Sequence, residues 1–249
     1  MRICLILEGC YPLHIGGVST WMHQYINEMK EHEFVLWVIG ANAKDKGKFV
    51  YELPKNVVEV HEVFLDDALR LKDSGKMFHA FTEEETNSLK ELMLCRRPNW
   101  EILFRLYHDQ KLILCSFLRS EEFLNILTEC CIKDYPYTPF ADAFHTMRSM
   151  LLPVLYLMGS EVPKADVYHA ICTGYGGLLA CLGGHVYKKK VLLTEHGIYT
   201  REREEEIIRA KWVQPAFKKQ WISFFYMLSD IIYTRAFLVS ALFTNAMHA

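Results

Sequence analysis

The chain has 249 residues, 51% of them hydrophobic, enough apolar material for one large domain or two small ones and too much for a disordered chain. Lys plus Arg number 28 against 30 Asp plus Glu, so no global field favours nucleic acid or an anionic membrane. The 8 cysteines form no CxxC and no Cys/His spacing of a zinc site, and Cys4 and Cys172 fall inside apolar runs; reduced cytosolic thiols and no bound metal are expected.

Taken in chain order, Arg2 to Leu7 reads as a buried parallel strand. It stops at Glu8, too early for a signal-peptide core. A loop with Pro12, Gly16 and Gly17 leads into helix-compatible "VSTWMHQYINEMKEH" and a second apolar run, "FVLWVIG", which together make a βαβ unit. "VVEVHEVFL", 57–65, alternates as at a sheet edge. From Asp66 to about Gly159 no strand is legible. "TEEETNSLKELML" opens on Thr82 and acidic residues, a good helix start, with an apolar stripe at Leu89, Leu92 and Met93. "PNWEILFRLYHDQ", "SEEFLNILTECC" and "PFADAFHTMRSMLLPVLYLM" follow as helices, with Cys130 and Cys131 on a helix rather than in a vicinal disulfide. A helical insertion over about 66–160 within an α/β domain is predicted.

The α/β rhythm then resumes. The uncharged stretch 167–187 has membrane-spanning length, but His169, Thr173, His185 and its glycines favour a strand, a Gly loop and a buried helix. "ADVYHAIC" is a predicted strand, "TGYGGLLACLGGHVY" a turn and helix, and Lys188 to Lys190 the solvated end of a helix-to-strand turn. "KVLLTEHG" is the next strand, "TREREEEIIRAKW" a charged helix start and "AFLVSALF" a final strand-like run. Strands alternating with helices imply an α/β fold with a doubly wound parallel sheet.

In such sheets ligands bind beyond the carboxyl ends of the strands. Gly16 and Gly17, with Ser19 and Thr20 at the following helix start, suit either a plain tight turn or a phosphate site. G-x-G-x-x-G is missing, which argues against a nicotinamide-dependent oxidoreductase. In "YHAICTGYGG", His169 is a candidate acceptor- or sugar-binding residue, although taken alone such a histidine is more often a hydrogen-bonded core residue. Thr173, Gly174 and Tyr175 either meet a polyol through hydroxyl and backbone amides or form a glycine-eased turn. In "LLTEHGIYTREREEE", His196 is placed to donate to a ligand oxygen or titrate near neutrality, and Glu195 to orient it or bind sugar hydroxyls. Arg201 and Arg203 are candidate anion contacts; Glu202, Glu204, Glu205 and Glu206 complement a helix start, with Glu205 and Arg209 paired at i, i+4.

Together, "EGCYPLHIGGVSTW", "DVYHAICTGYGGLLA" and "LLTEHGIYTREREEE" resemble the N-terminal half of family-four retaining glycosyltransferases, in particular the cytosolic glycosyltransferases of Pel-type exopolysaccharide synthesis. "TEHGIYTRERE" is the most specific part, and the similarity covers most of the chain, the helical segment included. The resemblance implies a GT-B enzyme: two Rossmann-like domains facing a cleft, the N-terminal one holding mainly the carbohydrate acceptor and the other a nucleotide-sugar donor, UDP-glucose. It places the donor diphosphate at Gly16 and Gly17 and the transferred sugar at His196, with no metal, no cofactor and no protein nucleophile. It also implies a cytoplasmic location. A second domain, with the paired glutamates that hold the donor, does not follow Ala249, so the chain as given is expected to be catalytically silent or very weak. A competing expectation is a non-catalytic module whose aromatic helices, "FHAFTEEETNSLKELMLCRRPNWEILFRLYHDQ", dock onto a membrane-bound polysaccharide synthase.

Overall fold

The computed structural model describes residues 1–70 and 79–242. Part of the predicted insertion, 71–78, and the last residue of "AFLVSALF" lie outside the described residues. In chain order the elements are β1 (Arg2–Glu8), α1 (Gly17–Glu28), β2 (Glu33–Gly40), β3 (Val57–Phe64), α2 (Asp67–Arg70) and α3 (Glu83–Met93). They continue with α4 (Trp100–Phe104), α5 (Cys115–Leu118), α6 (Glu121–Asp134), α7 (Phe140–Met158), β4 (Val167–Ala170) and α8 (Gly174–Tyr187). The last are β5 (Lys190–Glu195), α9 (Tyr199–Arg209), α10 (Lys218–Arg235) and β6 (Leu238–Ala241). The chain divides into two compact units. The first takes in Met1–Asp67, Glu161–Glu202 and the described residues from Leu228 onward; the second takes in the described residues of Ala68–Ser160 together with Arg203–Met227.

The first unit is a six-stranded sheet of order β3-β2-β1-β4-β5-β6 in which every pairing is parallel. It is the Rossmann-like, doubly wound arrangement expected from the alternation of strands and helices. The strand order reverses direction between β1 and β4, which puts a topological switch point beside the ends of those two strands. β1 and β2 read as unbroken apolar runs because both their faces are covered. Ile3, Leu5 and Leu7 of β1 share a core with Met22 and Ile26 of α1 and with Phe34, Leu36 and Val38 of β2. On the opposite face Ile6 meets α8 at Gly176. The alternation in β3 matches its place at one edge of the sheet.

Helix α8 is glycine-rich because it is packed tightly. A Cβ at Gly183 would strike the ring of Tyr168 on β4, and one at Gly177 would lie 2.9 Å from Ile232 of α10. The helix ends at Lys188, left-handed at φ 53°, and the exposed Lys190 ammonium sits 3.5 Å over the Phe237 ring. The three lysines are thus a solvated helix-to-strand turn, as read from the sequence.

The described residues of the second unit carry only helices and turns. The Thr82 signal forms a complete capping box: the Glu85 N–H donates to Thr82 Oγ1 at 3.3 Å, and the Thr82 N–H donates to Glu85 Oε2 at 2.9 Å. Leu89, Leu92 and Met93 are buried along one stripe of α3. "PNWEILFRLYHDQ" is α4 continued by a wider π turn, Arg105–Asp109. Cys130 and Cys131 are successive free thiols on α6. Among the described residues, no helix is long and apolar enough to cross a membrane.

Candidate functional site

The loops after β1, β4 and β5 leave the same edge of the sheet, and they differ in how far their polar groups are already engaged. Glu8, the last residue of β1, reaches across to the start of α8. Its Oε2 accepts from the Gly176 N–H at 3.2 Å and the Cys172 thiol at 3.8 Å, while Oε1 accepts from the Tyr199 hydroxyl at 3.3 Å. Thr173, the N-cap residue of α8, makes no side-chain cap bond, so this distant carboxylate takes the place a capping side chain would fill. The Thr173 hydroxyl is fully buried and bonded to Ser229 of α10 at 2.9 Å. Gly174 has φ +62°, and the Tyr199 ring lies where its Cβ would be, so glycine is required there on both counts. Tyr175 is buried beside it. The loop after β4 is therefore packed inward.

The loop after β1 is the opposite. It is anchored at its base, where Leu13 and His14 N–H donate to the Cys10 carbonyl and Val50 N–H donates to the Pro12 carbonyl. Tyr11 is buried, its hydroxyl 3.3 Å from His23 Nδ1. Beyond that base, Gly16 and Gly17 are exposed, and a Cβ at either would meet nothing within 4 Å. The first turn of α1 has no side-chain cap and no acidic residue, so its N–H groups and positive dipole end stay open. Ser19 points inward and is buried, whereas Thr20 is exposed.

Between these loops lies a cluster of two imidazoles and two aromatic rings. His169, on β4, is 6% exposed, with Nε2 2.7 Å from Thr194 Oγ1 on β5. Thr194 Oγ1 is 2.9 Å from Ser240 Oγ on β6, which donates to the Leu193 carbonyl at 3.3 Å. Tyr25 meets His169 edge-on at 6.0 Å, Trp21 stacks on Tyr25 at 5.1 Å, and Trp21 meets His196 edge-on at 4.6 Å. His169 Nδ1 and His196 Nε2 are both buried without a hydrogen-bond partner. Burial, helped by the neighbouring His196, pushes His169 down to about 4; burial also lowers His196. Both rings are thus held neutral at pH 7.

Glu195 is 4% exposed, and its carboxyl is pushed up by burial and by Glu202, against a hydrogen bond from the Tyr233 hydroxyl of α10 that favours the ionised form. Its carboxylate is thus engaged by Tyr233. Arg201 is exposed on the first turn of α9. Within the second unit, Arg203 pairs with Glu206 at 2.7 Å, and Arg209 with Glu205 at 3.4 Å as the i, i+4 spacing predicted. Among the described residues, no three His, Cys, Asp or Glu side chains come together in a way that could hold a metal ion.

The structure thus brings His169 and His196 together, sets Gly16 and Gly17 on an open helix start at the same sheet edge, and places Thr173, Gly174 and Tyr175 in a packed turn. The sequence reading missed Glu8, Trp21, Tyr25, Thr194, Tyr199, Ser229 and Tyr233. Trp21 and Tyr25 carried a signal, since two aromatic residues at i, i+4 just after a Gly-Gly loop share one helix face. The tyrosines of α9 and α10 and Ser229 carried none. No curated protein and no solved structure matches the chain. Its family is nonetheless shown along nearly its whole length: the chain belongs to the family described as Domain of unknown function (DUF3492), which matches residues 1–248.

Proposed function

We propose that this chain is the acceptor-side domain of a retaining GT-B glycosyltransferase of the family-four type. In this reading it acts in the cytoplasm, with a second nucleotide-binding domain, to pass glucose from UDP-glucose to a growing exopolysaccharide of the Pel kind. The observation that supports the reading is the pairing, at the switch point of the sheet, of an open, uncapped helix start at Gly16 and Gly17 with the neutral imidazoles of His169 and His196. An open helix start accepts a diphosphate through backbone N–H groups. A neutral imidazole hydrogen-bonds a sugar hydroxyl without adding charge beside a departing phosphate. Retention by front-face attack asks for no nucleophile from the protein, and Glu195, protonated more readily than an ordinary glutamate and bonded to Tyr233, has the character of a positioning group.

The test is UDP-glucose turnover by this chain joined to its nucleotide-binding domain, with release of UDP as the readout. Sugar transfer or slow donor hydrolysis is expected, and His196→Ala should lower it about 100-fold. Absence of both activities, or an unchanged rate in the variant, refutes the catalytic assignment.

A second reading, a module docking onto a membrane-bound polysaccharide synthase, cannot use Trp100, Phe104 and Tyr107 of the segment first expected to dock, which are buried, and draws instead on exposed apolar side chains elsewhere in the second unit. Ile132 is 73% exposed and Tyr137 99%. Ile132→Lys with Tyr137→Ser should abolish co-purification with the synthase in that case and leave it intact in the other.

A further inference from the structure

Only one arrangement of protons makes every contact in the hydrogen-bond chain leading away from His169. The Leu193 carbonyl can only accept, so the Ser240 hydroxyl donates to it at 3.3 Å. With that proton committed, Ser240 Oγ accepts from the Thr194 hydroxyl at 2.9 Å. Thr194 Oγ1 must in turn accept from His169, whose Nε2 therefore carries the ring proton at 2.7 Å. Because burial keeps the ring neutral, Nδ1 is left as a bare lone pair. That nitrogen is buried and has no partner, in a residue 6% exposed. A buried acceptor without a donor is destabilising, and native structures fill such places.

We infer that His169 is the hydrogen-bond acceptor of the site, and that the occupant presents a hydroxyl donor to Nδ1. The site thus takes a neutral polyol group at this point and disfavours an anion or a bare carbonyl oxygen. The inference deepens, and rests on, the carbohydrate reading above. The neighbouring Nε2 of His196 is also buried and unpartnered, and a hydroxyl can serve a nitrogen of either polarity. The partly exposed rings of Trp21 and Tyr25 lie against the two imidazoles, and the occupant reaches Nδ1 by shifting them.

The test is a two-bond ¹H–¹⁵N correlation spectrum of the ¹⁵N-labelled chain, with His169 assigned by its loss in two variants. The ligand-free protein at pH 7 should show the neutral Nε2–H tautomer; an Nδ1–H tautomer or an imidazolium overturns the inference. Titration with glucose, and separately with UDP-glucose, should move the Nδ1 resonance toward that of a hydrogen-bonded acceptor. His169→Gln keeps a donor for Thr194 but removes the acceptor, and should weaken binding of the probe about tenfold. His169→Asn keeps an acceptor near Nδ1 but loses the bond to Thr194, and should bind within about threefold of the parent while melting at a lower temperature. If glucose moves the resonance and UDP-glucose does not bind, the nucleotide-sugar reading falls and the inference stands. If neither probe moves it, or the Gln variant binds as tightly as the parent, the inference is wrong.

Discussion

The loops after β1 and β4 both carry glycines just past the end of a buried strand, yet the structure uses those glycines for different ends. At Gly16 and Gly17 a side chain would meet open space, and the backbone ahead of α1 faces outward. At Gly174 the chain is left-handed beneath the Tyr199 ring, Thr173 is bonded to Ser229, and the start of α8 is closed by Glu8. One loop is a place where a ligand can approach backbone; the other is a place where the protein approaches itself. A glycine pair in sequence marks close approach and does not say by what.

The contrast can be broken most sharply by Gly174→Ala, which combines a strained left-handed residue with a clash against Tyr199; a loss of about 4 kcal/mol is expected in chemical denaturation. A loss below about 1 kcal/mol would show that the turn is loose. Next in size is acid lability. His169 is held down to about 4 from an ordinary 6.5, so its contribution is complete above about pH 6.5 and lost as pH falls through about 4. The loss is on the order of 3 kcal/mol. Glu195, raised by burial, gains over the acid end of that range and offsets part of it. Denaturation midpoints followed from pH 7 to 4 should fall, and should flatten in His169→Gln.

Thr173→Val should cost about 1–2 kcal/mol by stranding the Ser229 hydroxyl, with UDP-glucose affinity unchanged. A tenfold affinity loss would instead put that hydroxyl on the ligand, as its place at a strand end first suggested. The smallest effect on stability belongs to the open loop. Gly17→Asp should change stability by less than about 1 kcal/mol, in the stabilising direction for an acid at a helix start, while weakening UDP-glucose binding severalfold. Unchanged affinity would remove the diphosphate from α1.

Much of the fold was legible because it is written in local patterns. Two apolar runs around a Gly-Gly loop gave β1, α1 and β2, the Thr82 signal gave the start of α3, and "VYHA" and "KVLLTE" gave β4 and β5. The strand at "ADVYHAIC" was read to Cys172 but ends at Ala170, because Cys172 turns toward Glu8. Helix α10 was not read at all: apolar and polar residues mingle along "KKQWISFFYMLSDIIYTR" without a clean stripe. With it went Ser229 and Tyr233. Glu8 was visible as the end of β1, but its partners Gly176 and Tyr199 lie far along the chain, and no spacing rule connects residues so distant. The site was legible as three loop positions and illegible as contacts.

The carboxylate of Glu8 has a further consequence, for direction. Helices α1, α8 and α9 begin at this sheet edge after β1, β4 and β5, and each beginning is a socket for negative charge. Glu8 plugs the socket of α8, and Glu202 in the first turn of α9 complements the second. That of α1 has no side-chain cap and no acidic residue in its first turn, with Trp21 in its second turn and His196 against Trp21. Under the proposed function this difference sets a polarity for a molecule charged at one end and hydroxylated at the other, its charge at Gly16 and Gly17 and its hydroxyls at the histidines.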